Sequence, residues 1–269
     1  MDMANETQVG IQAFFGWFRR RHANASALTT VPPPEHPTAR AGSFVPEQHV
    51  LIGAGIEALA NSWARLFRPN LLLRGRPAGA RWSEFLVDNA NSSGIFSRVS
   101  GPMLGDELEQ RGAANEALVV RQLVRDTDDH RGGMVRFADE DPDYATFATH
   151  PEVTALRLDP GRRYIERFRY GEVLYSEYRC YWAHSLSESD KLARSDFDEL
   201  TGWDDESSVR VRYVNWGVRR GPTPPHGEAR LLVKERRPLF TLKWLLRIYL
   251  EAIDTFERRC VAEESDPMP

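Results

Sequence analysis

Apolar residues recur along much of this chain at spacings of three and four, the period of a helix with one buried face. The clearest run is 47–67, where Ile52, Ile56, Leu59, Trp63 and Leu66 share a face. Glu57, Asn61 and Arg65 form a polar stripe beside it at i, i+4 and i+8, and Arg68-Pro69 ends the run. A shorter helix is expected over 81–89 around Trp82, Phe85 and Leu86, and Pro102 is placed to open another in GPMLGDELEQ. Residues 114–126 read as a helix with Leu118, Val119, Leu123 and Val124 as its apolar set. The last helix starts after Thr241, a good cap, and carries Leu242, Leu245, Leu246, Tyr249, Ala252, Ile253 and Phe256. Strand-like alternation is confined to VRVRYVNW (209–216) and ARLLVKE (229–235), which pair across GPTPPHG as a hairpin. The pattern predicts a mostly α protein with a small β-hairpin before its last helix.

At the N-terminus, residues 5–22 form a short helix bearing Ile11, Phe14, Phe15, Trp17 and Phe18 and ending in Arg19, Arg20 and Arg21. Its apolar side either packs on the protein's own core or docks a membrane surface or a partner. The Pro, Ser and Thr content of 23–46 reads as a linker. The expected division is therefore 1–46 as amphipathic helix and linker, 47–260 as the helical domain, and 261–269 as a disordered tail.

With 35 basic and 39 acidic residues the net charge is −4, so the chain is not a generally cationic nucleic-acid binder. A hydrophobic fraction of 41% excludes wholesale disorder. The charge is unevenly spread. Residues 126–143 hold seven carboxylates against Arg131 and Arg136 and read as an exposed loop, as do 188–206 with eight. The hairpin span 209–237 holds eight basic residues against two glutamates. Arg210, Arg212, Arg219 and Arg220 in that span are the candidate RNA-backbone contacts, compensation of the acidic loops being the competing reading. Two cysteines, Cys180 and Cys260, are too few for a disulfide framework or a thiolate zinc site, which fits a reduced, cytoplasmic setting. Nothing reaches the length of a membrane span, and the N-terminal arginines follow the apolar stretch, the reverse of a secretory signal. No phosphate loop, nucleophile elbow, HExxH or calcium-loop spacing occurs, so neither metal nor cofactor is expected.

What remains is Arg179-Cys-Tyr-Trp-Ala-His184. By count an Arg-x4–6-His pair means little: Arg125/His130, Arg219/His226 and Arg220/His226 also qualify, and 32 Arg with 7 His give about two to three such pairs by chance. Context separates them. His130 sits in the acidic stretch and His226 at the Pro-rich hairpin tip, whereas His184 lies in an aromatic-rich helical run. That run, RRYIERFRYGEVLYSEYRCYWAHSL (162–186), together with FL…FSRVSGPML (85–104) and AGIEALANSW (54–63), resembles a bacterial subgroup of the HEPN-like all-helical family. The resemblance covers about 47–260. It implies a helical bundle, a homodimer with both motifs facing one groove, and metal-independent RNA cleavage in a toxin or phage-defence setting, with an antitoxin or other protein partner.

In that reading His184 moves the proton of the ribose 2′-OH or of the leaving oxygen, and Arg179 stabilises charge on the phosphoryl oxygens. Glu57, Asn61 and Tyr181 border the cleft as accessory residues, Tyr181 by stacking on a base. Cys180 stands where the family often carries Asn or Asp. The competing reading makes His184 and Arg179 structural, and the fold a non-catalytic module that docks RNA or a protein.

Overall fold

The computed structural model of the chain describes residues 3–28, 45–73, 77–127, 136–156, 158, 162–185, 191–192, 210–220 and 231–268. Eleven α-helices occur among them: α1 (Met3–Ala27), α2 (Val45–Phe67), α3 (Ala78–Asn89), α4 (Gly101–Gln110), α5 (Ala114–Leu123), α6 (Tyr144–Ala148), α7 (Pro151–Ala155), α8 (Arg162–Glu166), α9 (Tyr170–Val173), α10 (Cys180–Ser185) and α11 (Leu242–Ala262). A π-helical turn, Leu174–Arg179, joins α9 to α10. Three strands, β1 (Arg136–Phe137), β2 (Arg212–Arg220) and β3 (Leu231–Leu239), form an antiparallel sheet in the order β1-β2-β3. The protein is mostly helical with a small sheet before its last helix, as the periodicity predicts.

The chain divides into two compact units, 1–92 with 174–189 and 241–269, and 93–173 with 190–240. This is not the division expected at 46 and 260. The N-terminal helix runs to Ala27, into the span read as linker, and belongs to the first unit. Its Ile11, Phe15, Phe18 and Ala25 are buried, so its apolar side packs on the protein's own core. Phe15 meets Phe256 of α11 edge-on at 5.2 Å, and Arg19 reaches Asp254 and Glu257 on the same helix at 2.6 and 2.5 Å. Buried Gln48 of α2 donates to the Ala25 carbonyl at 2.8 Å and so anchors the last turn of α1. The residues read as a disordered tail are also attached: Arg65 donates to the Pro267 carbonyl at 2.6 Å.

Within the first unit Phe67, Phe85 and Phe256 form an edge-on ring cluster with Phe15, with Trp63 against Phe85. The cap of α11 is as predicted, the Trp244 amide donating to Thr241 Oγ1 at 3.1 Å.

The second unit corrects the expected exposed loop at 126–143. Asp126 and Asp141 are fully buried, and each meets a buried arginine: Arg236 Nε lies 3.0 Å from Asp126, and Arg136 Nη2 lies 2.5 Å from Asp141. The hydroxyls of Tyr170 and Tyr213 both donate to Asp141 Oδ2, at 2.7 and 2.5 Å. A buried carboxylate is tolerable where its charge is paired and its lone pairs are filled. Residues 128–135, most of 188–206 and the hairpin tip 221–230 lie outside the described residues. On α5 the apolar face is turned from the expected one: Ala117, Val120 and Val124 are buried, while Leu118 is 52% exposed.

Candidate active site

Three residues of α2, four apart, set one wall of the site: His49, Gly53 and Glu57. Spacing of four keeps them on one helix face, and that face meets the π-turn and α10. His49 stacks on Trp182 with centroids 4.5 Å apart, and its Nδ1 shares a hydrogen bond with the Tyr178 hydroxyl. At Gly53 the stem of Arg179 passes over the helix, its Cγ 3.5 Å from where a Cβ would sit, an ordinary contact distance. Glu57 Oε2 then accepts from Arg179 Nη2.

The π-turn supplies the opposite wall. Its wider winding puts residues five apart on one face, where an α-helix would turn them away from each other. Tyr175 and Cys180 are accordingly electrostatic neighbours, and the Arg179 guanidinium lies 5.7 Å from the Tyr175 ring centroid and beside Cys180. Burial works against the Arg179 charge, but the hydrogen bond and charge of Glu57 outweigh it and hold the guanidinium above its ordinary pKa. Burial likewise pushes the Tyr175 hydroxyl up. The result is a cluster of a carboxylate, a guanidinium, a phenol and a thiol at the edge of the first unit.

The predicted pair is arranged unequally. The wide turn ends at Arg179 and the chain is α-helical from Cys180 to Ser185, so Arg179 and His184 keep α spacing. They stand about 140° apart around the axis and about 7.5 Å along it. His184 is exposed and makes no hydrogen bond or ion pair with another described residue. Arg179 has Glu57. Of the accessory residues, Glu57 is part of the cluster, Asn61 is exposed one turn further along α2, and Tyr181 is 40% exposed on α10. The Trp182 side chain is buried under His49 and is not available to a base.

The arginines proposed for the RNA backbone lie in the second unit, and the two whose side chains are described, Arg210 and Arg212, are engaged within it. Arg212 is 2% exposed, so its guanidinium cannot lie on a polynucleotide without leaving the core. Arg210 pairs with Asp139 and stacks on Phe137, 3.8 Å from the ring centroid. Neighbouring Arg237 pairs with Glu235 at 3.0 Å. The side chains of Arg219 and Arg220 lie outside the described residues, as do His130 and His226. Among the described residues no group of three or more His, Cys, Asp or Glu gathers as a metal site, and no helix is long and apolar enough to cross a membrane.

Sequence reasoning missed His49, Gly53 and Tyr175. Their signals were present as the four-residue spacing to Glu57 and the five-residue spacing to Cys180. The second is a neighbour relation only where the helix is wound wide. No family model, curated protein or solved structure matches this chain.

Proposed function

We propose that this chain is a HEPN-like, metal-independent endoribonuclease that acts as a homodimer in a cytoplasmic toxin or phage-defence setting. The observation that supports it is the exposed imidazole of His184, without a partner among the described residues, on the helix that directly follows Arg179. Imidazole is the side chain best suited to exchanging protons near neutral pH. In this reading His184 takes the ribose 2′-OH proton or returns one to the leaving 5′-oxygen, and Arg179 stabilises the charge that builds on the phosphoryl oxygens. The 2′-oxygen attacks phosphorus as the P–O5′ bond breaks, leaving a 2′,3′-cyclic phosphate and a 5′-hydroxyl. The α spacing of the pair is too wide for one small group, so a two-fold partner completes the groove.

The test is digestion of bulk and transfer RNA in EDTA. The wild-type chain should cut and leave cyclic phosphate ends, and Arg179→Ala/His184→Ala should not. Intact RNA with the wild type, or equal cutting by the double variant, ends the proposal.

A second reading, a non-catalytic module docking RNA or a protein partner such as an antitoxin, draws on the Glu57–Arg179 pair, which occupies the guanidinium in the free chain. It expects partner capture to survive the same double substitution.

A further inference from the structure

We propose that Glu57 acts as a tethered competitor for the substrate phosphate, and so makes the Arg179 site select a strand over a lone nucleotide. This rests on the ribonuclease reading, and it adds a specificity-determining role that the reading does not contain.

The argument begins with what an arriving anion must displace. Glu57 and Arg179 are joined side chain to side chain and are 26% and 21% exposed, so the pair is shielded without being sealed. Gly53 seats the Arg179 stem, and Tyr175 and Cys180 flank its guanidinium. These contacts fix the head group beside Glu57. Replacing one monoanionic carboxylate by one phosphodiester gains no net charge. The outcome is then decided by concentration. Glu57 is held by its own helix at an effective concentration in the millimolar range or above, which a free nucleotide at micromolar levels does not match. A strand that also touches the neighbouring surface presents its next phosphate as an intramolecular competitor, on equal terms with Glu57. Exposed Asn61, one turn along α2 on the face of Glu57, is placed to supply such a contact.

The test uses the full chain, a labelled 2′-O-methyl RNA oligonucleotide that cannot be cleaved, and 2′-O-methyluridine 3′-methyl phosphate, a mononucleotide diester of the same single charge, as competitor. In the wild type the mononucleotide should displace the oligonucleotide poorly. Glu57→Gln, which keeps the shape and removes the charge, should lower the competing concentration roughly three- to ten-fold. That gain should vanish in Glu57→Gln/Arg179→Ala. Glu177→Gln on the motif helix is the control for a general change of field and should not reproduce it. An unmoved competing concentration in Glu57→Gln, a gain that survives loss of Arg179, or failure of every variant to bind the oligonucleotide overturns the proposal. Should Glu57→Gln not fold, the Arg179 side-chain Nε–H resonance of the wild type gives the same decision. Oligonucleotide should shift it and an equal phosphate concentration of mononucleotide should not; equal shifts overturn the proposal. A wild type that binds with this selectivity but leaves cleavable RNA intact removes the ribonuclease reading alone. One that cuts RNA while Glu57→Gln changes nothing removes the competitor alone.

Discussion

The imidazole of His49 lies flat on the indole of Trp182, ring centroids 4.5 Å apart and planes 16° from parallel. This joins α2 to α10, which carries His184 and directly follows Arg179. His49 is fully buried, and burial lowers its pKa to about 3. An unfolded chain protonates the same ring near pH 6.5. Between those values the unfolded state binds the extra proton, so the contribution to stability is complete above about pH 6.5 and is lost as pH falls toward 3. The loss reaches about 1.4 kcal/mol per pH unit. Urea midpoints should therefore fall between about pH 7 and pH 5. His49→Phe/Tyr178→Phe keeps the stacked rings and removes the titrating group with its hydroxyl partner. It should flatten that slope, and an equal slope in this variant counts against the assignment.

Two glycines of α2 make opposite predictions. A Cβ on Gly55 would lie 2.2 Å from the Tyr249 hydroxyl and 2.4 Å from its ring carbon, inside any allowed contact. Tyr249 is itself fully buried and has nowhere to retreat, so Gly55→Ala should destabilise by about 1–3 kcal/mol or more. A Cβ on Gly53 would meet Arg179 Cγ at 3.5 Å, an ordinary contact. Gly53→Ala should be neutral or stabilising by up to about 1 kcal/mol, since alanine restricts the unfolded chain and favours the helix. Denaturant midpoints of the two variants should move in different directions.

The second unit contains a comparable contrast between two aspartates. Asp141 is buried and accepts from Arg136, Tyr170 and Tyr213, whereas Asp139 is exposed and pairs with Arg210 at the surface. Asp141→Ala strands a buried guanidinium and leaves the Tyr170 and Tyr213 hydroxyls only each other and Ser100, and should cost about 3–5 kcal/mol. Asp139→Ala should cost well under about 1 kcal/mol. Similar losses for the two would mean that Arg136 finds water in the variant.

What the sequence displayed and what it hid differ by the kind of pattern involved. Periodic apolar positions made α2, α3, α4 and α11 legible, because their buried faces repeat at the helical spacing. Asp126 and Asp141 were read as solvated, since a carboxylate in an acidic stretch looks the same whether or not an arginine distant in sequence comes to meet it. Arg136 and Arg236 do so here. Arg179 and His184 could be singled out, but not the wall that faces Arg179. His49, Gly53 and Glu57 acquire meaning only when α2 is laid against the π-turn, and Tyr175 only when that turn is wound five residues apart.

The FFGWF stretch of α1 shows the same distinction and carries the last prediction. Its five residues include four large aromatic side chains, too many for one narrow face, so the sequence alone left core packing and docking both open. In the structure Phe15 and Phe18 are buried and Phe14 is half-buried, while Trp17 is 42% exposed with the Arg21 guanidinium 4.1 Å from its ring centroid. Deleting the helix would therefore uncover the aromatic cluster around Phe256, and loss of function in such a deletion would report unfolding before it reported a lost partner. Point substitutions separate the two roles. Phe15→Ala should destabilise by about 3–5 kcal/mol, the range for emptying a buried aromatic site. Trp17→Ala should stay within about 1 kcal/mol of the wild type, losing a surface cation–π contact with Arg21 and an edge-on contact with Phe18. With urea midpoints so separated, any defect of Trp17→Ala in binding a membrane surface or a protein belongs to the outer side of α1 and not to the fold.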